Sequence, residues 1–254
     1  MSEIQTEQAS DLRGRTPMVE PKLGVAQEPM MATSSDAPTS RLQNCRDLQP
    51  VSLSPGYRFA KRLVDIVGAT VLLVLFAPLL LILGILVKLS SPGPIFYKSQ
   101  RIGLLGKKFT FVKFRSMRPD ADTLLQRLRE QNEKDGPIFK MKNDPRITPV
   151  GRVLRRYSLD ELPQFWSVLI GDMSLVGPRP PIAHEVLEYD EACLERLRIK
   201  PGITCYWQVM GRSRLSFQEW MELDRKYVRE MSFWTDLKIM ALTPIAVFRS
   251  DGAY

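Results

Sequence analysis

Histidine is almost missing from this sequence: His184 stands alone in 254 residues. Glu185 follows it, but with no second histidine the chain cannot complete a zinc-protease helix or a histidine ligand cluster. Cysteine is scarce as well. Cys45, Cys193 and Cys205 are odd in number, far apart and free of C-x-x-C spacing, which argues against a disulfide framework or a zinc site and fits a reducing compartment. No apolar stretch follows the start, so the N-terminus does not read as a signal peptide, and no internal repeat is visible. Acid, base and nucleophile roles therefore fall to carboxylates, serines or cysteines.

Charge is plentiful and uneven. Lysine and arginine number 36 against 28 acidic residues, a formal charge of +8, yet Met1 to Gly56 holds five basic and seven acidic residues. The remainder is thus strongly basic. Nucleic acid, an anionic leaflet, a phosphorylated substrate or a plain soluble basic surface all fit that balance. Residues 1–56 mix Ser, Thr, Pro, Gln and acidic residues without a sustained apolar period, which predicts a disordered segment.

From Ile66 to Val87 the chain is uncharged and rich in Leu, Val and Ile, long enough to match a bilayer's hydrocarbon core. Such all-round apolarity sets it apart from the amphipathic helix of a soluble domain. Pro78 lies mid-run, where it removes a hydrogen bond to Val74 and its ring bends a helix. Basic residues flank both ends: Arg58, Lys61 and Arg62 before, Lys88, Lys98 and Arg101 after. If cationic flanks stay cytoplasmic, a re-entrant helix bent at Pro78 satisfies both, whereas a spanning helix must translocate one. We expect a membrane helix over residues 57–89 and a catalytic domain over residues 90–254.

Ser91-Pro92-Gly93-Pro94 marks a turn, and short strands are predicted at Ile95-Phe96-Tyr97 and Phe109 to Val112, about a turn at Gly103 to Lys107. Helical patterns cover Asp122–Lys134, Asp160–Leu169, Pro181–Leu197 and Ser216–Arg229. The last segment, Phe233 to Phe248, suits a helix lying in the membrane interface with Trp234 at headgroup depth, or an ordinary core helix. Pro244 bends it either way.

The most informative stretch runs from Arg155 to Pro163, with adjacent carboxylates Asp160 and Glu161 beside Arg155 and Arg156. Pro163 is tolerated only in a first turn, which predicts a helix start near Ser158 to Asp160 with the carboxylates at its positive end. A capping box, Ser158 with Glu161, explains the same letters. Chemically, a carboxylate near arginine is held ionised, binds a hard divalent cation and can attack phosphorus. The turn Gly177-Pro178-Arg179-Pro180 presents Arg179, whose planar fork suits phosphate; a plain surface turn is the alternative.

Seven ordered blocks together carry more than any one. They are Lys61-Arg62-Leu63-Val64-Asp65, Pro94-Ile95-Phe96-Tyr97, Lys113-Phe114-Arg115-Ser116-Met117, Ser158 to Gln164, Gly171 to Pro180, Lys200 to Thr204, and Gln208-Val209-Met210-Gly211-Arg212. In this order, from about Arg58 to the C-terminus, the chain resembles the bacterial sugar transferases, the monotopic phosphoglycosyl transferases. The resemblance implies an α+β, mostly helical fold. A re-entrant membrane helix, a small β-hairpin and interfacial amphipathic helices would surround one catalytic core.

It further implies Asp160 as nucleophile, Glu161 as its metal-associated partner and Mg2+ as the ion held by the two. Arg155 and Arg179 would hold phosphate, with Gly177, Pro178 and Arg115 also among the phosphate- or nucleotide-binding residues. The implied substrates are a UDP-sugar and undecaprenyl phosphate, with galactose or glucose the first expectation for the hexose. The implied setting is the bacterial inner membrane, with membrane lipids as partners and the catalytic face in the cytoplasm. Ala77 stands before Pro78 where the family often has serine, and residues 1–56 stand where longer members carry more membrane helices. Neither a recognition helix nor an RNP-like aromatic strand is present, so no nucleic-acid partner is expected. A tethered nucleic-acid-binding protein and a non-catalytic export scaffold are the rival readings. A homo-oligomer is compatible with the sequence, which carries no signal for any particular state.

Overall fold

A computed structural model describes residues 45–249 of the chain, except 134 and 140. Most of the expected disordered segment lies outside the described residues. From Cys45 onward, however, that segment is seated on the body. Cys45 is fully buried, the Val51 amide donates to the Arg198 carbonyl at 3.2 Å, and Arg198 Nε donates to the Gln49 carbonyl at 2.8 Å.

Helix α1 (Pro55–Ser90) opens on Ser54, whose side chain accepts from the Tyr57 amide, with Pro55 in the first turn. Among the described residues it alone is long and apolar enough to cross a membrane. Helical structure continues through Pro78 without interruption. One face, carrying Asp65, Ala69, Leu83, Gly84 and Val87, is buried on the body. The opposite face, with Pro78, exposes Val71, Val74, Leu75, Leu81, Ile82 and Ile85. Proline on the outer side gives up its hydrogen bond where no packing is lost.

The two ends of α1 dock on the same body by different means. At the N-terminal end Arg62 donates to the Val168 and Leu169 carbonyls, both at 2.8 Å, and Asp65 accepts from the Ser174 hydroxyl and the Leu175 amide at 2.9 and 2.8 Å. Hydrogen bonds to a charged group are worth about 1.5–3 kcal/mol each. At the C-terminal end Leu83 and Val87 pack with Phe114 and Leu154.

Strands β1 (Phe96–Ile102) and β2 (Lys108–Phe114) form an antiparallel hairpin with Tyr97 opposite Lys113 and Arg101 opposite Phe109. Alternation puts Tyr97, Ser99 and Arg101 on one face with Phe109, Phe111 and Lys113. Phe114 turns the other way, onto α1. Short helices follow: α2 (Ala121–Leu128), α3 (Pro149–Arg156), α4 (Phe165–Ile170), α5 (Ala183–Leu187), α6 (Glu191–Leu194) and α7 (Tyr206–Met210). The single helix expected over Pro181–Leu197 is broken because Asp190 caps a new start, accepting from the Cys193 amide at 2.7 Å.

Strands β3 (Ser174–Val176) and β4 (Gly202–Thr204) pair in parallel, a second sheet that no local pattern predicts. A Cβ on Gly177 would collide with the backbone of Lys200 to Gly202, so the close approach beyond this pair requires glycine. Helix α8 (Phe217–Glu230) has a capping box of Ser216 and Glu219, and α9 (Phe233–Arg249) runs through Pro244. Tyr227 joins the last two helices to α1: its hydroxyl donates to Asp236 at 2.6 Å, and Lys61 donates to the same carboxylate at 2.8 Å. Trp234 is 73% exposed and Phe248 79%, so α9 does not serve as a fully enclosed core helix. Cys45, Cys193 and Cys205 are all buried.

Candidate active site

The dyad sits on a tight 3-10 turn, Leu159–Gln164, between α3 and α4. The capping box expected there does not form, and the helix that does start at Leu159, with both carboxylates in its first turn, is 3-10 rather than α. Ser158 is left-handed (φ 55°) and makes no side-chain cap, and the α-helix begins only at Phe165. Pro163 supplies the reason, since a helix begun at Ser158 would drive its ring against the Leu159 carbonyl. The chain takes 3-10 turns past the proline instead. Asp160 is buried and Glu161 half-buried.

Arg155 arrives from the last turn of α3. Thr148 caps that helix by accepting from the Gly151 amide at 2.9 Å, and Gly151 lies so close to the Ser116 backbone that a Cβ would overlap its carbonyl. One turn further, Arg155 Nε donates to the Ser116 hydroxyl at 2.9 Å. Its charge faces Asp160 first and Asp144 next. Asp144 is itself held by Arg146 at 2.6 Å, so it is already neutralised.

Gly177 and Pro178 are buried beneath Arg179 as its mount. The Gly177 amide donates to the Thr204 carbonyl at 2.9 Å, and the Pro178 carbonyl accepts from the Gly202 amide at 2.8 Å. Arg196 fixes the next residue, donating to the Arg179 carbonyl at 2.7 Å, while the Arg179 guanidinium lies 5.8 Å from the centre of the Trp220 ring. Arg179 is thus brought towards Glu161, with which it interacts by charge.

Arg115 is not. Its guanidinium donates to the Pro92 carbonyl and, at 2.7 Å, to the Ser91 carbonyl, closing the end of α1. Gly93 (φ 120°) has no room for a Cβ beside it. The structure thus commits the two Nη atoms of Arg115 to carbonyls that follow α1 rather than to the dyad.

The hairpin supplies two cations to which sequence reasoning gave no part in the site, Arg101 having been read only as a flank of the apolar run. Arg101 and Lys113 share its inner face, Arg101 over the Phe111 ring at 5.1 Å and Lys113 over the Tyr97 ring at 5.6 Å. Strand alternation from Phe109 and Phe111 carried that signal. Burial first, and Arg155 next, bring the Lys113 ammonium down to about 8, while Asp160 and Glu161 oppose the shift. Arg212 completes the set from beyond α7, facing Glu161. Burial and then the Asp160 charge push the Glu161 carboxyl upward. Five cationic side chains therefore interact by charge with one or both carboxylates, and among the described residues no ion pair within 4 Å involves the dyad. Such a surplus is suited to receiving an anion of more than one phosphate.

The model of the family described as bacterial sugar transferase matches residues 56–250. The chain belongs to the bacterial sugar transferase family. It is 43% identical over 195 residues to the galactosyl transferase CpsE of Streptococcus agalactiae, covering 76% of this chain and 43% of that protein. To the exopolysaccharide production protein ExoY of Rhizobium meliloti it is 43% identical over 199 residues, covering 77% and 88%. To the undecaprenyl-phosphate galactose phosphotransferase of Salmonella typhimurium it is 44% identical over 204 residues, covering 78% and 42%. This bacterial sugar transferase thus spans less than half the length of two of these relatives and most of the third.

Proposed function

We propose that the protein transfers a hexose-1-phosphate from a UDP-sugar to undecaprenyl phosphate and releases UMP, the opening step of exopolysaccharide or capsule assembly. The observation that carries this reading is the Asp160–Glu161 pair, without an ion pair within 4 Å among the described residues and in charge interaction with five cationic side chains, in a family member similar to the proteins named above. Galactose and glucose are the first hexoses to test.

In the first half-reaction an Asp160 oxygen bonds to the sugar-bearing phosphorus. The bond from that phosphorus to the bridging oxygen breaks, and its electron pair leaves with UMP. An oxygen of the lipid phosphate then attacks the same phosphorus, and the bond to Asp160 breaks to restore the carboxylate. Arg155 holds the phosphoryl group at Asp160, and Arg179 neutralises charge on the Glu161 side. The dyad's chemistry fits Mg2+. Asp160 and Glu161 are adjacent hard oxygen donors, and among the described residues neither is occupied by an ion pair within 4 Å. With no cluster of three or more acidic, histidine or cysteine ligands among the described residues, substrate oxygens would complete the shell. Asp160 and Glu161 would hold the ion, which would screen phosphate charge when bound.

Charge on Lys113 gives a pH signature. With its ammonium at about 8 in the free protein, the side chain is cationic below that pH and neutral above it. kcat/KM for the sugar nucleotide should therefore fall on an alkaline limb beginning near pH 8, because this parameter reports the free enzyme. Lys113→Met should lower kcat/KM about 10- to 100-fold at pH 7 and flatten that limb. An unchanged profile in the variant would remove Lys113 from substrate binding.

For α1 we propose a re-entrant path into one leaflet, with the catalytic face in the cytoplasm. A helix of 36 residues reaches roughly 54 Å, well beyond the ~30 Å hydrocarbon core. Both of its ends dock on one body, whereas crossing the bilayer would part them. Its exposed apolar face, with Trp234 and Phe248 of α9, gives lipid a surface to cover. Single cysteines at Phe59 and Leu89, both exposed, should react with an impermeant maleimide in inverted membrane vesicles and stay unlabelled in right-side-out ones. Labelling of one from each side would establish a crossing.

The direct assay is UMP release from a panel of UDP-sugars, by purified protein in detergent with undecaprenyl phosphate and Mg2+. Lipid-dependent release supports the reading and names the sugar. No release across the panel from folded protein would favour the export scaffold.

A further inference from the structure

Arg212 has no place in the mechanism so far, yet its setting is unusual. Its side chain is only 9% exposed, and its Nη1 has no hydrogen-bond partner among the described residues. Nη2 reaches the Ser158 hydroxyl at 3.3 Å. Both residues of that contact have left-handed backbones, φ 52° at Arg212 and φ 55° at Ser158, and neither is glycine. Such conformations persist where surrounding structure enforces them, and they concentrate at ligand clamps. A buried guanidinium donor without an acceptor is a position that a ligand oxygen can complete.

The surroundings of the two guanidinium groups differ. Arg155 is tied to Ser116 and faces Asp160 and Asp144, whereas Arg212 is tied to Ser158 and faces Glu161. Of these two guanidinium groups, Arg155 thus interacts by charge with Asp160 and Arg212 with Glu161. Arg179, Lys113 and Arg101 interact with Glu161 as well.

We propose that Arg212, with Ser158, forms a second phosphate subsite, which holds the nucleoside monophosphate as it leaves and then the phosphate of the incoming lipid. This inference rests on the phosphosugar transfer proposed above. In-line displacement sends the leaving oxygen away from Asp160 along the axis by which the second nucleophile must approach. One anion subsite on the side remote from Asp160 can therefore serve both half-reactions. Arg155 keeps the phosphoryl group that is bonded to Asp160 in between.

The test is exchange of labelled UMP into the UDP-sugar that the wild-type protein uses, measured without lipid, alongside the complete reaction with lipid. Arg212→Gln should retain the wild-type melting temperature while exchange and complete turnover both fall about 100-fold, with a raised KM for UMP. Arg212→Lys should recover part of both rates, since it restores charge without the planar fork. Equal KM for UMP in wild type and Arg212→Lys, or an Arg212→Gln variant within threefold of wild type, would overturn the subsite. So would loss of exchange accounted for by a lowered melting temperature in Arg212→Gln together with wild-type behaviour in Arg212→Lys. Absence of Asp160-dependent exchange in the wild-type protein would instead sink the transfer reading, and the subsite with it.

Discussion

Asp160→Asn is expected to reduce UMP release by at least about 10³-fold and to abolish any covalent phosphosugar adduct. An amide matches the carboxylate in shape, so the buried 3-10 turn is kept. What goes is the negative charge, and with it the nucleophilic oxygen. The variant should still bind UDP-sugar, because the cations around the dyad are untouched and one opposing charge has gone. A binding measurement beside the rate measurement separates these effects. Wild-type rates in Asp160→Asn would remove the residue from the chemistry and favour the non-catalytic readings.

Arg155→Gln should lose about 10²- to 10³-fold in kcat/KM, the second largest effect. Arg155 is positioned by a chain of local necessities: the Thr148 cap, the glycine at 151 that lets α3 meet the Ser116 backbone, and the bond from Arg155 to the Ser116 hydroxyl. Glutamine can replace the last bond but not the charge. Arg155→Lys restores charge without the fork, so it should recover only part of the loss. If thermal melting shows the two variants folded and both retain wild-type kcat/KM, Arg155 does not hold the phosphoryl group.

The parts of this molecule that sequence reveals are those with local causes. The apolar run became α1, the hairpin formed about its turn, and α8 formed over the helical pattern from Ser216 to Arg229. Asp160, Glu161 and Arg179, with Arg155 just upstream of the dyad, could be named as a group because the chain resembles one family, and the fold brings Arg155 into charge interaction with Asp160 and Arg179 with Glu161. What stayed hidden depends on distant partners. Strands β3 and β4 have only three residues each and pair across a gap of 25 residues between Val176 and Gly202. Arg115 looks like a phosphate ligand until its acceptors, carbonyls at Ser91 and Pro92, are known.

Ser158 shows a different failure. S-x-x-E suggests a capped α-helical start, but Pro163 two residues later is incompatible with the α form, and the helix starts at Leu159 as an uncapped 3-10 helix. Lys113 and Arg101 were legible in principle. Their alternation with Phe109 and Phe111 places them on the inner hairpin face, but only the position of the dyad turn gives that face a purpose.

The most direct test of the central claim is to incubate the protein with the UDP-sugar that it uses, omit the lipid phosphate, quench in denaturant and map the adduct by peptide mass spectrometry. A hexose-phosphate on the peptide that contains Asp160, discharged when undecaprenyl phosphate is added before the quench and absent from Asp160→Asn, is the predicted result. An adduct on another residue, or lipid-linked product formed at full rate by Asp160→Asn, would contradict it.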